Sequence, residues 1–303
     1  MQLNKIPAEP DVPEEILDQA NKKKLCFFLG AGVSKLIGCK GWSEIAINLA
    51  RKCFRKKHIN HKQLEGILRI KDPKKIITIC YNILDEKGST NDFFKEIKTS
   101  LKHDKDLIKK YNIYRELASI PAIFITTNID THFDFAFPER IVYKEDDFNP
   151  KNIFPRTLYK IHGTIKNKKS IIFTVPQYLD RYRKGNFTKF LRSIFNERTI
   201  IFLGYGLEEF EILDFLVTKL AEGEKIEKKH WILLPYYEDE DYLKTYDEEY
   251  FKSLGISVVP FRKDEEGYHQ LYNVIKKWNN EFNELSNIPH EEMMDMEDTV
   301  DNL

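Results

Sequence analysis

Four short segments place glycine or a polar side chain directly after an apolar run. Gly30-Ala31-Gly32-Val33-Ser34 follows residues 24–29, and Thr126-Thr127-Asn128-Ile129-Asp130 follows 122–126. Residues 158–161 lead into His162-Gly163, and 199–203 lead into Gly204-Tyr205-Gly206. Glycine lacks a Cβ, so a Gly-Ala-Gly turn lets backbone N–H groups approach a phosphate closely. It serves equally as a tight turn. Lys35 stands where a GxGxxG fingerprint would put its third glycine, and no Gly-Lys-Ser/Thr exists, which excludes a P-loop. Asn128 and Asp130, an amide and a carboxylate two residues apart, can face one pocket or cap a helix. His162 can act as a general base near neutral pH or sit in the core.

These residues need a scaffold that brings chain-distant turns together. The runs at 24–29, 122–126, 141–143, 158–161, 171–174, 199–203, 231–234 and 256–259 read as buried strands. Helical spacing fills the intervals. A helix at 43–57 has Ser43 as its N-cap, and others cover 176–198, 208–220 and 239–253. A closing helix at 267–285 has Leu271, Val274, Ile275, Trp278 and Phe282 on one face. Continuous apolar strands alternating with helices predict an α/β fold, a Rossmann-like, mostly parallel sheet covered on both faces. Ligands of such sheets lie beyond the carboxyl ends of the strands. Residues 60–118 carry helical spacing with almost no strand signal. They read as a helical insertion of three or four helices, broken near Asp72-Pro73, Gly88-Ser89-Thr90 and His103-Asp104. The expected organisation is an N-terminal arm at 1–20, one α/β domain at 21–285, and an acidic, disordered tail at 286–303.

Composition narrows the classes. The chain has 303 residues, with 48 Lys and Arg against 48 Asp and Glu. That balance argues against a dedicated nucleic-acid coat and leaves no long-range repulsion to oppose a homo-oligomer. The stretch from Arg51 to Lys62 holds six Lys or Arg and no acid, and suits a solvated helix end. No segment reaches the roughly 20 apolar residues of a membrane span, and the first residues lack the form of a secretion signal. Four cysteines without a CxxC pair fit a reducing cytoplasm. No spacing of histidines or cysteines suggests a metal site.

The order GAGVS, TTNID, IHG, LGYG resembles the sirtuin superfamily, and more closely the sirtuin-like NAD-hydrolysing domains of bacterial anti-phage defence proteins. The resemblance implies NAD+ as substrate. Gly30, Ala31, Gly32 and Ser34 would lie at its phosphates and neighbouring ribose, and Gly204 and Tyr205 would also contact it. Asp130 would contact the nicotinamide carboxamide. Asn128 would place the attacking water, and His162 would be the catalytic base or ribose-hydroxyl partner. Trp42 matches a tryptophan found shortly after the glycine loop in the defence branch. No cysteine follows Cys80, so the zinc module of protein deacetylases is absent and no structural zinc is expected. The Pro-Asp-Phe-Arg segment of deacetylases is missing too. Gly206 and Glu209 stand where the defence branch commonly has Ser and Asp.

The implied activity is that of an NAD+ glycohydrolase releasing nicotinamide and ADP-ribose, an effector that depletes NAD during infection. Relatives pair with a HerA-like ATPase or an Argonaute-type protein, and an ATPase partner is the favoured expectation. Two other readings stay open. One is an NAD-dependent deacylase or ADP-ribosyltransferase. The other is a silent NAD- or ADP-ribose-binding subunit.

Overall fold

Every residue of Leu25–Leu29 (β1) is buried, and the rest of the molecule is arranged around that strand. The computed structural model describes residues 5–136, 140–204 and 230–287. Six further strands join β1: Ile123–Thr126 (β2), Ile141–Val142 (β3), Leu158–Lys160 (β4), Thr199–Leu203 (β5), His230–Tyr236 (β6) and Ile256–Arg262 (β7). They form one sheet in the order β3-β4-β2-β1-β5-β6-β7, with every pairing parallel. The chain builds outward from β1 through β2 to β3 and β4, then returns to β1's other side at β5. The crevice at that reversal is where open α/β sheets bind ligands.

Strand residues alternate between two cores, as the two-residue period of a strand requires. Leu25, Phe27 and Leu29 join a cluster under Glu14–Asn21 (α1), Ile113–Ser119 (α8) and Gln270–Asn287 (α13). Cys26 and Phe28 join a second cluster on the opposite face, under Gly185–Glu197 (α11) and Asp241–Ser253 (α12). The five residues expected on one face of the closing helix all lie in the first cluster. The segment before α1 is docked: the Trp278 indole N–H donates to the Pro10 carbonyl at 2.9 Å. Arg262 N donates to the Pro7 carbonyl at 2.8 Å, beside the edge strand β7.

A third core lies among Trp42–Arg55 (α3), His61–Leu68 (α4), Pro73–Glu86 (α5) and Thr90–Ser100 (α6). Asp72 caps α5 through Lys74 N and Lys75 N. Asp104 caps Lys105–Lys110 (α7) through Asp106 N and Leu107 N. All three expected breaks are present. A further break at Tyr111–Asn112 makes five helices between 60 and 118. The last of these, α8, packs on the sheet with α13 rather than with the helical core.

Three expectations change. The helical stretch at 176–198 is two helices, Val175–Tyr182 (α10) and α11. Gly41, not Ser43, precedes the first turn of α3, and its N–H is held by the Glu44 carboxylate at 3.0 Å. Residues 171–174 are buried yet form no strand. Both edges of β4 are already taken by β3 and β2, so the segment crosses the strand ends. It bonds there once, from Ile172 N to the His162 carbonyl, and sends Ile171 and Phe173 into the helical core. The expected helix at 208–220 and the tail beyond 287 lie outside the described residues.

Candidate active site

Parallel register puts the four exits level. Leu29 pairs with Thr126 on one side and Leu203 on the other, and Thr126 pairs with Lys160. The residues that follow therefore emerge together at the carboxyl edge of the sheet. Gly30 starts the glycine turn, and Ala31–Lys35 (α2) carries it on. His132–Ala136 (α9) follows the Asn128-Asp130 loop.

On the β5 side of β1 the contact is backbone against backbone. Gly30 N donates to the Leu203 carbonyl at 2.9 Å, and Gly32 N donates to the Gly204 carbonyl at 2.8 Å. A Cβ on Gly32 would stand 2.7 Å from the Gly204 Cα. Gly204 holds φ +57°, the left-handed region that favours glycine, and a Cβ there would run into Val33 N. These glycines thus serve first to let two turns touch. Beside them lies a cavity of about 630 Å³, well within the range of cofactor sites. Ala31, Gly32 and Gly204 form its floor, Leu233, Leu234 and Pro235 one wall, and Tyr268 and His269 another. Among the described residues Lys35 is the only Lys or Arg lining it, and no acid does, which suits a diphosphate. Burial pushes the Tyr268 phenol well above its ordinary range. The His269 ring stacks on Tyr111 with centroids 4.2 Å apart.

On the β2 side the contact is made by side chains. Thr126 Oγ1 donates to the Leu29 carbonyl at 2.9 Å and accepts from Asn128 N at 3.0 Å. Asn128 Nδ2 donates to the Gly30 carbonyl at 2.8 Å and to Ser34 Oγ at 3.0 Å. Ser34 Oγ donates to Asp130 Oδ2 at 2.7 Å, and Asp130 Oδ1 accepts from His132 N at 3.0 Å. Underneath, the nearly inaccessible Lys160 ammonium pairs with Asp134 at 2.8 Å and donates to the Asp130 carbonyl. A second cavity, of about 30 Å³, opens here between Thr127, Asn128 and Asp130 on one side and Trp42 and Phe173 on the other. Trp42 and Phe173 stack with centroids 4.6 Å apart, and Trp42 and Ala31 line both cavities.

The structure thus gathers Gly30, Ala31, Gly32, Ser34, Asn128, Asp130 and Gly204. His162 leaves β4 at the same edge and is buried, with its ring edge-on to Tyr178 at 5.0 Å. It is among the lining residues of neither cavity. Tyr205, with Gly206 and Glu209, lies outside the described residues. His132 turns its ring to the Leu101 carbonyl and lines neither cavity.

Sequence reading missed Tyr114, Lys160 and Thr127 as site residues. Tyr114 sits in a helix remote in sequence, and Lys160 looks like an ordinary strand residue. Thr127 reads as no more than one residue of its motif. Its hydroxyl is buried without a partner among the described residues, and the residue lines the small cavity. Among the described residues no cluster of His, Cys, Asp or Glu could hold a metal ion. No described helix is long and apolar enough to cross a membrane.

Residues 122–259 match the model of the SIR2-like domain family. Over 213 residues, 66% of this chain, the sequence is 29% identical to Defense-associated sirtuin 2 of Bacillus subtilis. The matched part is 19% of that protein, so the chain spans about a fifth of the length of this curated relative. The family match starts just before β2, and the central strand β1 with its glycine turn precedes it. Register with β2 and β5 brings β1 and that turn to the same sheet edge as the matched segments. Over residues 122–259 the chain is therefore similar to the SIR2-like domain family, and over 213 residues it is similar to a defence-associated sirtuin.

Proposed function

We propose that this chain is an NAD+ glycohydrolase that cleaves the nicotinamide–ribose bond and acts in anti-phage defence by depleting NAD+. The observation that carries the reading is the alignment of a glycine-floored cavity with an Asn-Asp pocket across one strand end. The adenosine and diphosphate would lie in the larger cavity, over Ala31, Gly32 and Gly204, with Lys35 near the phosphates. The nicotinamide end would point past Trp42 toward Asn128 and Asp130. The resemblance also gives Tyr205 a contact with the cofactor. The match to a SIR2-like domain supports NAD+ as the substrate, and the defence setting rests on the name of the relative.

Cleavage builds positive charge on the ribose carbon as neutral nicotinamide leaves. The site must then hold the dinucleotide, place a water, and accept its proton. Asn128 supplies a carboxamide oxygen that can accept from that water or from a ribose hydroxyl. His162 leaves β4 at this edge without lining either cavity. As the proposed proton acceptor it must reach the water from there, and such a group is worth on the order of 10²–10⁴-fold in rate. A homo-oligomer and an ATPase partner belong to the same proposal.

The experiment is incubation of the purified chain with NAD+ and identification of the products. Nicotinamide and ADP-ribose are expected, with turnover nearly abolished in both Asn128→Ala and His162→Ala. Wild-type turnover in both variants would sink the assignment. Product formed only with an acylated peptide would mark a deacylase instead.

A further inference from the structure

The Ser34 hydroxyl meets three groups at once. Oγ lies 2.7 Å from Asp130 Oδ2, 2.7 Å from the Tyr114 hydroxyl and 3.0 Å from Asn128 Nδ2. A hydroxyl has one proton and two lone pairs. The proton goes to the carboxylate oxygen of Asp130. The amide nitrogen of Asn128 can only donate, so it takes one lone pair. Tyr114 must then donate its proton to the other. The direction of each bond follows, and Ser34 keeps nothing for a phosphate or a ribose.

The same count fixes Asn128. The group facing the Gly30 carbonyl must be the amide nitrogen, because that carbonyl can only accept. The second N–H goes to Ser34. Both donors are spent inside the protein, which leaves Oδ1 for whatever enters the small cavity that Asn128 lines. Tyr114 is a rigid anchor for this arrangement. It is buried and stacks on Phe133 with centroids 5.1 Å apart. Burial, and then the charge of Asp130, raise its phenol well above the ordinary value, so it stays a donor throughout the working pH range.

We propose that Ser34 and Tyr114 are positioning residues that hold Asn128 so that it shows the cavity an acceptor and no donor. The group recognised there is therefore a hydrogen-bond donor, a ribose hydroxyl or the attacking water. The proposal rests on the NAD+-cleaving reading. It also replaces the expectation that Ser34 touches the cofactor.

The test uses the full chain, labelled with ¹⁵N, and NAD+ as the ligand. The Asn128 side-chain amide signals, assigned by their loss in Asn128→Asp, should exchange slowly with water. They should exchange at least about tenfold faster in Ser34→Ala, one bond of the pair being lost. In Ser34→Ala, Kd for NAD+ by calorimetry should stay within about threefold while kcat falls about 10–100-fold, the effect of misplacing a reacting group. Ser34→Thr, which keeps the hydroxyl, should recover most of the rate. Tyr114→Phe should give a smaller loss of the same kind, about 3–10-fold. A Kd that rises in step with the loss of kcat/KM would make Ser34 a ligand and overturn the proposal. Unchanged Asn128 exchange in Ser34→Ala would overturn it as well. A native chain that neither binds nor cleaves NAD+ defeats the functional reading alone, because the exchange measurement still decides how Asn128 is held.

Discussion

The two sides of β1 are closed in different ways. Toward β5, the turns after the strands meet through backbone, with Gly32 N on the Gly204 carbonyl and no room for a Cβ between them. Toward β2, they meet through side chains, in a chain of donors from Tyr114 and Asn128 through Ser34 to Asp130, with Lys160 beneath. A backbone joint fixes shape and leaves a roomy, mostly apolar cavity beside it. A side-chain joint fixes the direction of hydrogen bonds and leaves a pocket of about 30 Å³. The first suits holding the bulk of a dinucleotide, the second suits placing one or two reacting atoms. Substitutions on the two sides should therefore fail differently.

The largest effect is expected at Asn128. Asn128→Asp keeps the shape but turns two donors into acceptors facing the Gly30 carbonyl and Ser34. Turnover of NAD+ should fall by about 10²–10³-fold, as for loss of one preorganised polar group, with the thermal midpoint much less affected. Steady-state kinetics beside calorimetry would check this. A loss confined to KM would show that the side-chain joint does no more than bind.

Next is the buried ion pair. Lys160→Met strands Asp134 in a nearly closed site, with only the half-exposed Lys166 at 3.4 Å to answer it among the described residues. Breaking a buried pair typically costs about 3–5 kcal/mol, at the lower end here because Lys166 remains. Lys160→Met with Asp134→Leu should regain much of that loss in a denaturant titration. If the double variant is no more stable than the single one, the charge pairing is not what Lys160 contributes.

On the backbone side, Gly204→Ala adds a left-handed penalty of about 1–2 kcal/mol and an overpacking cost of about 1–3 kcal/mol. Stability should drop, and residual activity per folded molecule should lose affinity for NAD+ before it loses kcat. Native stability in the Gly204→Ala variant would mean that the two turns do not meet as tightly as the geometry shows.

The smallest effect lies outside both joints, at the cap of α7. The N–H groups of Leu107 and then Asp106 hold the Asp104 carboxyl below its ordinary value. A depressed folded pKa gives stability that is present above the unfolded pKa and is lost as pH falls through the folded one. Asp104→Ala should lower Tm by only about 2 °C near neutral pH. The gap between variant and native protein should close as pH falls below the usual carboxylate range. A gap that persists undiminished in acid would exclude the carboxylate as its source.

Much of the frame was legible because its signals are local. Apolar runs halted by Gly30 and Gly204 mark strand ends, and Asp72-Pro73 marks a helix start by capping chemistry that needs no partner. The run at 171–174 misled for a tertiary reason. It has strand composition, but β4 had no free edge to receive it. Lys160 was overlooked because a charged residue in a strand announces nothing until Asp134 is found beside it. His162 was legible as a motif residue, yet it is buried apart from the two cavities.

By itself, then, the sequence suggested eight strands, of which seven form, and determined the breaks of the helical insertion and the identity of the four strand-end segments, because hydrophobic period and turn chemistry act within a few residues. Only the tertiary structure decided that β1 lies between β2 and β5 and that their ends are level. It alone set Tyr114 against Ser34 across 80 residues, and Asn128 against Ser34 across 94. Those contacts are hydrogen bonds of about 3 Å between side chains. A distance that small is fixed by strand order and register, which no local pattern of residue types encodes.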